Sequence, residues 1–403
     1  MAETNRPAPT HWAVTVLLVA LAAYGPVSTD LYLPSLPEMT RHFSVSVSYV
    51  QLTLSIFTLG FSFGMLIHGP LSDRWGRRPI LLIGALIYVV GSVVCVSAQS
   101  IDLLLAGRFI QALGASAGIV VCRAVVRDVY GQDGAARMFS YISGAMAFAP
   151  AVAPILGGAL HVAFGFRANF VALLVFGLVI LVGVWLLLRE TNAHRDPRAG
   201  APLSMLRAYG TLVQDRVFLR HCLTNAFIFA GLFSFISGSS FVVIDVLGVS
   251  EANFGFVFMF AACSYASCAL LGGRLMKALG GGHGLIAIGV GVSAVTGLIG
   301  AGLAWTGVQS LWVVMPFVCA HFAACALVIP AGMGGAIGPY PKMAGAASSL
   351  MGFIQMGTGA LIGAMVGLLH DGTTRVMMTA IALSALFAAL TWIGLRGKAA
   401  TQI

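Results

Sequence analysis

Stretches without a charged side chain set the rhythm of this chain. Runs over 7–29, 42–72, 79–101, 138–166, 168–188, 221–244, 252–273, 343–370 and 376–395 contain no Asp, Glu, Lys or Arg. A helix needs about 20 mostly apolar residues to cross the hydrocarbon core of a bilayer, so each run reads as one crossing. Residues 103–122 make another, interrupted only by Arg108. The charge-free run 278–341 is too long for one crossing, and Trp305 to Ser310 offers a turn near its middle, so it holds two. The pattern predicts an all-α membrane protein of twelve transmembrane helices.

Composition agrees. Of 403 residues 59% are apolar and 9% charged, against about 25% charged in a soluble domain. The net charge of +9 is spread between apolar stretches rather than gathered on one face, which argues against a nucleic-acid partner. All seven cysteines fall in apolar runs with no CxxC spacing, so neither a metal site nor a disulfide framework is expected. The first apolar run leads into Asp30 and a Pro-rich segment rather than a small-residue cleavage site, and it reads as a retained span.

Charge then assigns the sides. With both termini in the cytoplasm, eighteen basic residues fall on inner segments, among them Arg6, Arg396 and Lys398, and three on outer ones, Arg41, Arg167 and Arg375. That is a strong positive-inside asymmetry, with Arg108 left in the membrane. The one long polar stretch, Arg189 to Arg220, separates six spans from six. The expected organisation is an N-terminal six-helix bundle over 1–190, a cytoplasmic linker over 191–217 and a C-terminal six-helix bundle over 218–403. Span one ends in Asp30 and span seven in Asp245, a weak echo between the halves. Two parallel repeats with a site between them is a plan of secondary transporters.

Four motifs carry a resemblance. After span two the chain reads Gly69-Pro-Leu-Ser-Asp73-Arg74-Trp-Gly76-Arg77-Arg78-Pro79; span four contains Arg108-Phe-Ile-Gln111-Ala112-Leu-Gly114. Span five has Gly144 and then Ala153-Pro154-Ile-Leu-Gly157-Gly158, and span one finishes Asp30-Leu-Tyr32-Leu-Pro34-Ser-Leu-Pro37. Over nearly its whole length the chain resembles the major facilitator superfamily, and within it the Bcr/CflA drug:proton antiporters, nearest the bicyclomycin-resistance branch. Ala112 and Ala153 stand where that pattern usually has Gly. Ala22 stands where the phenicol branch has a further acid, which argues against phenicol specificity.

The resemblance implies roles. Gly69, Asp73, Arg74, Gly76, Arg77 and Arg78 form a conformational latch on the cytoplasmic side, with the carboxylate near the N-terminal end of a helix in the other half; the alternative is that the basic residues only set topology. Gly144, Pro154, Gly157 and Gly158 are the antiporter motif, which allows bending and close packing, and otherwise mark an ordinary kinked helix. Asp30 and Arg108 couple protons: an acid in a cavity near an arginine loads and releases protons as water access changes. The alternatives are an interfacial cap at Asp30 and a structural arginine held by carbonyls.

For the substrate, facing positions of inner spans offer Tyr32, Gln51, Phe57, Gln111, Met146, Asn225, Phe229 and Phe233, each of which packing would equally explain. The histidines within spans, His68 and His321, read as hydrogen-bonded packing. The expected activity is proton-driven export of drugs or other small amphipathic compounds across a bacterial inner membrane by a monomer that needs no cofactor. The alternative cargo is an endogenous metabolite such as a nucleoside, sugar or amino acid. No GxxxxGK[ST] appears, which leaves a nucleotide-driven pump unsupported. Neither a selectivity filter nor paired catalytic residues within spans are evident, against a channel or a membrane-embedded enzyme.

Overall fold

The computed structural model describes residues 12–193, 195, 202–279 and 281–395. Arg6, Arg396 and Lys398, used above to orient the chain, lie outside the described residues, as do 194 and 196–201 of the expected linker. Inside a bilayer every backbone polar group must be satisfied within its own segment or by a neighbour, so the apolar runs fold as helices.

The first span is broken. Helices α1 (Trp12–Ala22), α2 (Tyr24–Asp30) and α3 (Leu36–Phe43) form one bent crossing, with a 49° bend beside Ala23 and a short 3-10 turn, Leu33–Ser35. Pro26 lacks the N–H that would reach back into α1, which accounts for the break. The next helices are α4 (Val47–Trp75) and α5 (Arg77–Ser97), joined at Gly76. The helical stretch α6 (Ile101–Phe164) is two helices, carrying the fourth and the fifth expected spans, that meet at a break at Gly131, where φ 62° with ψ −164° is open to glycine alone. Helix α7 (Arg167–Leu187) completes the first half. The amphipathic α8 (Pro202–Gln214) leads into the second half: α9 (Arg216–Ser240) with a π-helical end (Phe241–Val246), α10 (Glu251–Ala278), α11 (Gly282–Trp305), α12 (Leu311–Ile337), α13 (Ala344–Leu368) and α14 (Arg375–Gly394).

Among the described residues ten helices are long and apolar enough to span a bilayer alone, and the bent first span makes an eleventh. The expected fifth span differs. Its helix starts at the Gly131 break, but the apolar part is only Phe148–Phe164, because Asp133 and Arg137 follow the break in sequence. Large apolar side chains stand exposed on outward helix faces, among them Phe260, Leu270, Trp312 and Leu361, as a lipid-facing surface requires. The chain is a multi-pass membrane protein.

The packing is asymmetric between the two ends. Away from the linker, one apolar cluster runs through both halves, joining Leu31, Tyr32, Leu54 and Phe170 to Phe233, Phe254, Phe258 and Met377. Nearer the linker the clusters separate: Leu18, Tyr24, Phe61 and Tyr88 belong to the first half, whereas Leu212, Phe218, Ala347 and Met351 belong to the second. The halves therefore pack tightly at one end, and nearer the linker they part around a gap while α4 and α13 stay in contact, Met65 lying against Gly352.

Candidate functional site

A cavity of ≈ 420 Å³ opens between the halves on the linker side. Its walls are Met65, Gly69, Ser72, Asp73 and Arg77 from the α4–α5 corner, Val120, Arg123 and Arg127 from α6, Tyr209 from α8, and Ser348 and Ser349 from α13. Three of the six expected latch residues thus line it. Gly69 faces α13 closely enough that an added Cβ would lie 3.4 Å from Ser349 Oγ.

Asp73 shares this cavity with Ala344, Gly345 and Ala346 at the start of α13 in the other half, but the partner its carboxylate takes lies on its own side. It is ion-paired to Arg77, whose Nε also donates to Asp128 Oδ2 at 3.0 Å and whose Nη1 donates to Ser72 Oγ at 2.7 Å. The Asp73 side chain is half exposed because the halves stand apart here. Gly76 takes φ 106°, and any Cβ there would collide with the Glu190 carboxylate. That carboxylate accepts from Arg77 N at 2.9 Å and Arg78 N at 3.3 Å, satisfying the first free donors of α5 and opposing its positive end. Arg78 Nη2 donates to the Trp185 carbonyl at 3.0 Å and Arg74 lies against Trp75.

Arg108 is fully buried. Nη2 donates to the Ser28 carbonyl at 2.8 Å and Nη1 to Gln111 Oε1 at 2.5 Å, while the guanidinium lies 4.5 Å from the Tyr32 ring centroid and 4.2 Å from that of Phe57. Gln111 Nε2 in turn donates to Ser92 Oγ at 2.8 Å. A cation in mid-span is thus held by a carbonyl, an amide and two aromatic faces. Asp30, 2% exposed, sits just along the same helix, but its carboxylate meets the Thr29 hydroxyl at 2.8 Å. The acid and the arginine are therefore not paired.

The expected substrate residues do not converge on one pocket. Tyr32 donates to Thr53 Oγ1 at 2.9 Å, since the Thr53 proton goes to the Val50 carbonyl. Gln51 Nε2 donates to the Ser237 carbonyl at 2.9 Å, across the halves, and Asn225 Nδ2 to the Ile329 carbonyl at 3.1 Å within the second half. Phe229 and Phe233 stack on each other and pack against Gly359 and Gly363 of α13. Met146 is half-buried beside the first-half cluster. None of the eight lines the open cavity. The antiporter-motif glycines face different neighbours: a Cβ on Gly158 would come 2.8 Å from the Glu251 carbonyl at the start of α10, and one on Gly157 would strike the Leu31 carbonyl of the first span. Pro154 lies inside that helix, and Gly144 faces open space. His68 and His321 are bonded to neighbours, as packing histidines are.

Residues 15–364 match the Major Facilitator Superfamily. The chain belongs to that superfamily. The uncharacterized MFS-type transporter YdgK of Bacillus subtilis (strain 168) is 32% identical over 391 residues, 95% of each chain. A bicyclomycin resistance protein homolog of Haemophilus influenzae (strain ATCC 51907 / DSM 11121 / KW20 / Rd) is 29% identical over 361 residues, 89% of each. The crystal structure of a D-xylose-proton symporter matches with a TM-score of 0.75 over 97% of this chain and 98% of that one, at 14% identity, which shows a shared fold. As a major facilitator protein the chain is a transporter of small molecules and not an enzyme, and its Bcr/CflA-like character agrees with the motif reading.

Several members of this facilitator's polar network escaped sequence reasoning. Glu190 and Asp128 organise the loop motif, and Ser28 holds Arg108 through its backbone, which no side-chain pattern announces. His161, Glu38 and Glu251 meet at the end away from the linker. A sequence signal for them existed: each is the polar residue at the tip of an apolar run, but tips read as topology until the helices are brought together.

Proposed function

We propose that this transporter exports drugs or other small amphipathic compounds from the cytoplasm of a bacterium in exchange for protons. In this reading it works as a monomer in the inner membrane, with both termini and the 191–217 linker cytoplasmic and with bundles 1–190 and 218–403 rocking about the site between them. The cavity beside the linker then faces the cytoplasm, and the sealed end faces outward, the inward-open member of an alternating-access pair. The relative described as a bicyclomycin resistance protein homolog supports a drug as cargo.

Asp30 carries the reading. Thr29 has one hydroxyl proton, yet its oxygen lies 2.8 Å from Asp30 Oδ1 and 3.0 Å from the Pro26 carbonyl. A protonated Asp30 donates to Thr29, which then donates to Pro26, and every group is satisfied. An acid sealed from water without a cation gains by being neutral, and neutrality is what a proton carrier needs while it crosses between sides. Arg108 acts beside it by fixing the Ser28 backbone and the Tyr32 and Phe57 rings, and Tyr32, Gln51, Phe57, Gln111, Met146, Asn225, Phe229 and Phe233 meet cargo when the halves part.

Proteoliposomes with an imposed pH gradient test this. Wild-type protein moves a drug substrate against its gradient, and Asp30→Asn loses gradient-driven transport by tenfold or more, an effect of about 1.4 kcal/mol or greater. Undiminished transport in Asp30→Asn removes the proposed carrier. A drug panel in a pump-deficient bacterium separates cargo classes: protection by the wild-type gene against no toxic compound turns the reading to an endogenous metabolite.

A further inference from the structure

We infer that His161 is a proton-binding site that latches the end of the molecule away from the linker. The side chain is 6% exposed, at the tip of the fifth span. Its Nε2 lies 2.9 Å from Glu251 Oε2, and its Nδ1 lies 3.2 Å from Glu38 Oε2 at an angle too poor for a hydrogen bond. Glu38 and His161 belong to the first half, whereas Glu251 opens α10 of the second. Arg41 of α3 also reaches Glu251, at 3.5 Å. An open depression of ≈ 570 Å³ lined by Glu38, Arg41, His161, Val162, Gly165 and Glu251 gives water a way to the ring.

A neutral imidazole has one N–H and one lone pair. Set between two carboxylates it must turn the lone pair toward one of them, whereas the imidazolium presents a cation to both. The quartet of Glu38, Arg41, His161 and Glu251 is then electrically balanced; without the proton it carries one net negative charge. The remaining titratable groups around it do not supply that charge. Asp245, on the π-helical end of the seventh span, is within electrostatic reach of Arg41, Glu251 and His370. Asp371 follows His370 and bonds Thr373. His42, one turn on from Glu38 along α3, faces Arg167 at 3.5 Å.

Imidazole is the side chain whose charge changes near neutral pH. Glu251 departs when the halves separate, so a cation on the His161 ring meets both carboxylates only in the closed arrangement. By linkage, protons arriving at this end favour closure. An exporter that exchanges cargo for protons needs such a coupling, to close its outer end once the outside proton has bound. This role rests on the outward assignment above, but the latch itself depends on neither cargo nor Asp30.

The test uses full-length protein in nanodiscs at uniform pH without substrate. Spin labels introduced through unnatural amino acids at Gln99 and Gln309, exposed positions of the two halves at this end, report the closed and open populations by pulsed dipolar spectroscopy. In wild type the closed-to-open ratio rises about fivefold or more between about pH 8 and about pH 6. Glu38→Gln, whose amide donates to the Nδ1 lone pair of a neutral ring, stays closed at both pH values. Glu251→Ala is shifted open at both. A pH-independent wild type, or a Glu38→Gln variant that keeps the wild-type response, overturns the proposal. Because no gradient or drug is present, loss of export in the liposome assay leaves this result untouched, and the reverse holds too.

Discussion

At the scale of single residues, the costly decision in this chain is the burial of Arg108 in mid-span. Its carbonyl and amide partners are neutral and two rings flank the guanidinium, so the charge is stabilised by dipoles rather than by a counter-ion. Gln111 matters most among them because it also fastens Ser92. Gln111→Leu leaves a buried guanidinium N–H without its partner and removes the bond that Ser92 Oγ accepts, while that hydroxyl still donates to the Tyr88 carbonyl, and the expected loss of stability is about 1–3 kcal/mol. Met146→Leu, a swap of similar volume at a half-buried position, is expected to stay below about 1.5 kcal/mol. Thermal unfolding of the two variants in the same detergent makes the comparison; equal melting temperatures would mean that the Gln111 bonds contribute nothing. Arg108→Lys keeps the charge but replaces the planar fork with a point donor, so it is expected to lower transport even where the protein still folds.

At the scale of helices, one acid organises the corner that the loop motif turns. Glu190 binds the first N–H groups of α5 and also Asn192 N at 2.9 Å, fastening the end of the sixth span to the start of the third. Removing it in Glu190→Ala should cost about 0.5–2 kcal/mol, in the range of lost helix caps, and should speed hydrogen exchange in the first turn of α5 while leaving α11 unchanged. Equal exchange in both variants would show that Gly76 alone sets the corner. The elements were largely legible in the sequence because charge-free runs measure bilayer crossings directly. The kink at Gly131 and the polar start of the fifth span were not, since a run of apolar letters says nothing about where a helix bends. The site was legible by type and not by geometry. Asp30 and Arg108 stand out as charges in apolar runs, yet which face each takes depends on Pro26 and the bend it causes, and Arg108 turned to a backbone carbonyl that composition never shows. Gln51 and Asn225 likewise spend their amides on carbonyls of neighbouring helices, a fate that facing positions on a helical wheel do not reveal.

At the scale of the whole molecule, one seam between the halves sets which end is open. Away from the linker it is built on glycine: a Cβ on Gly255 would lie 2.5 Å from backbone atoms of Ile155, and one on Gly158 would lie 2.8 Å from the Glu251 carbonyl. The same end is stitched by Ser48 to the Gly367 carbonyl at 2.8 Å and by Gln51 to that of Ser237, whereas near the linker the cavity opens between the halves and leaves α4 and α13 in contact beside it. Backbone cannot yield as a flexible side chain does, so a larger residue at Gly255 penalises only the arrangement in which α6 and α10 touch. Gly255→Val should raise the energy of the observed state by about 1–3 kcal/mol, the usual cost of overpacking. Each 1.4 kcal/mol is tenfold in an equilibrium constant, which is enough to invert a balanced population. In the alternating-access reading proposed above the bundles rock as rigid units, so opening one end closes the other. A cysteine placed at Ser348, on the cavity wall, should react readily with a membrane-impermeant maleimide in the parent and several-fold more slowly in Gly255→Val, while one placed at Ser55 in the sealed seam should change the opposite way. Parallel changes at both positions would mean that the halves loosen rather than rock, and that the ends of this transporter open independently.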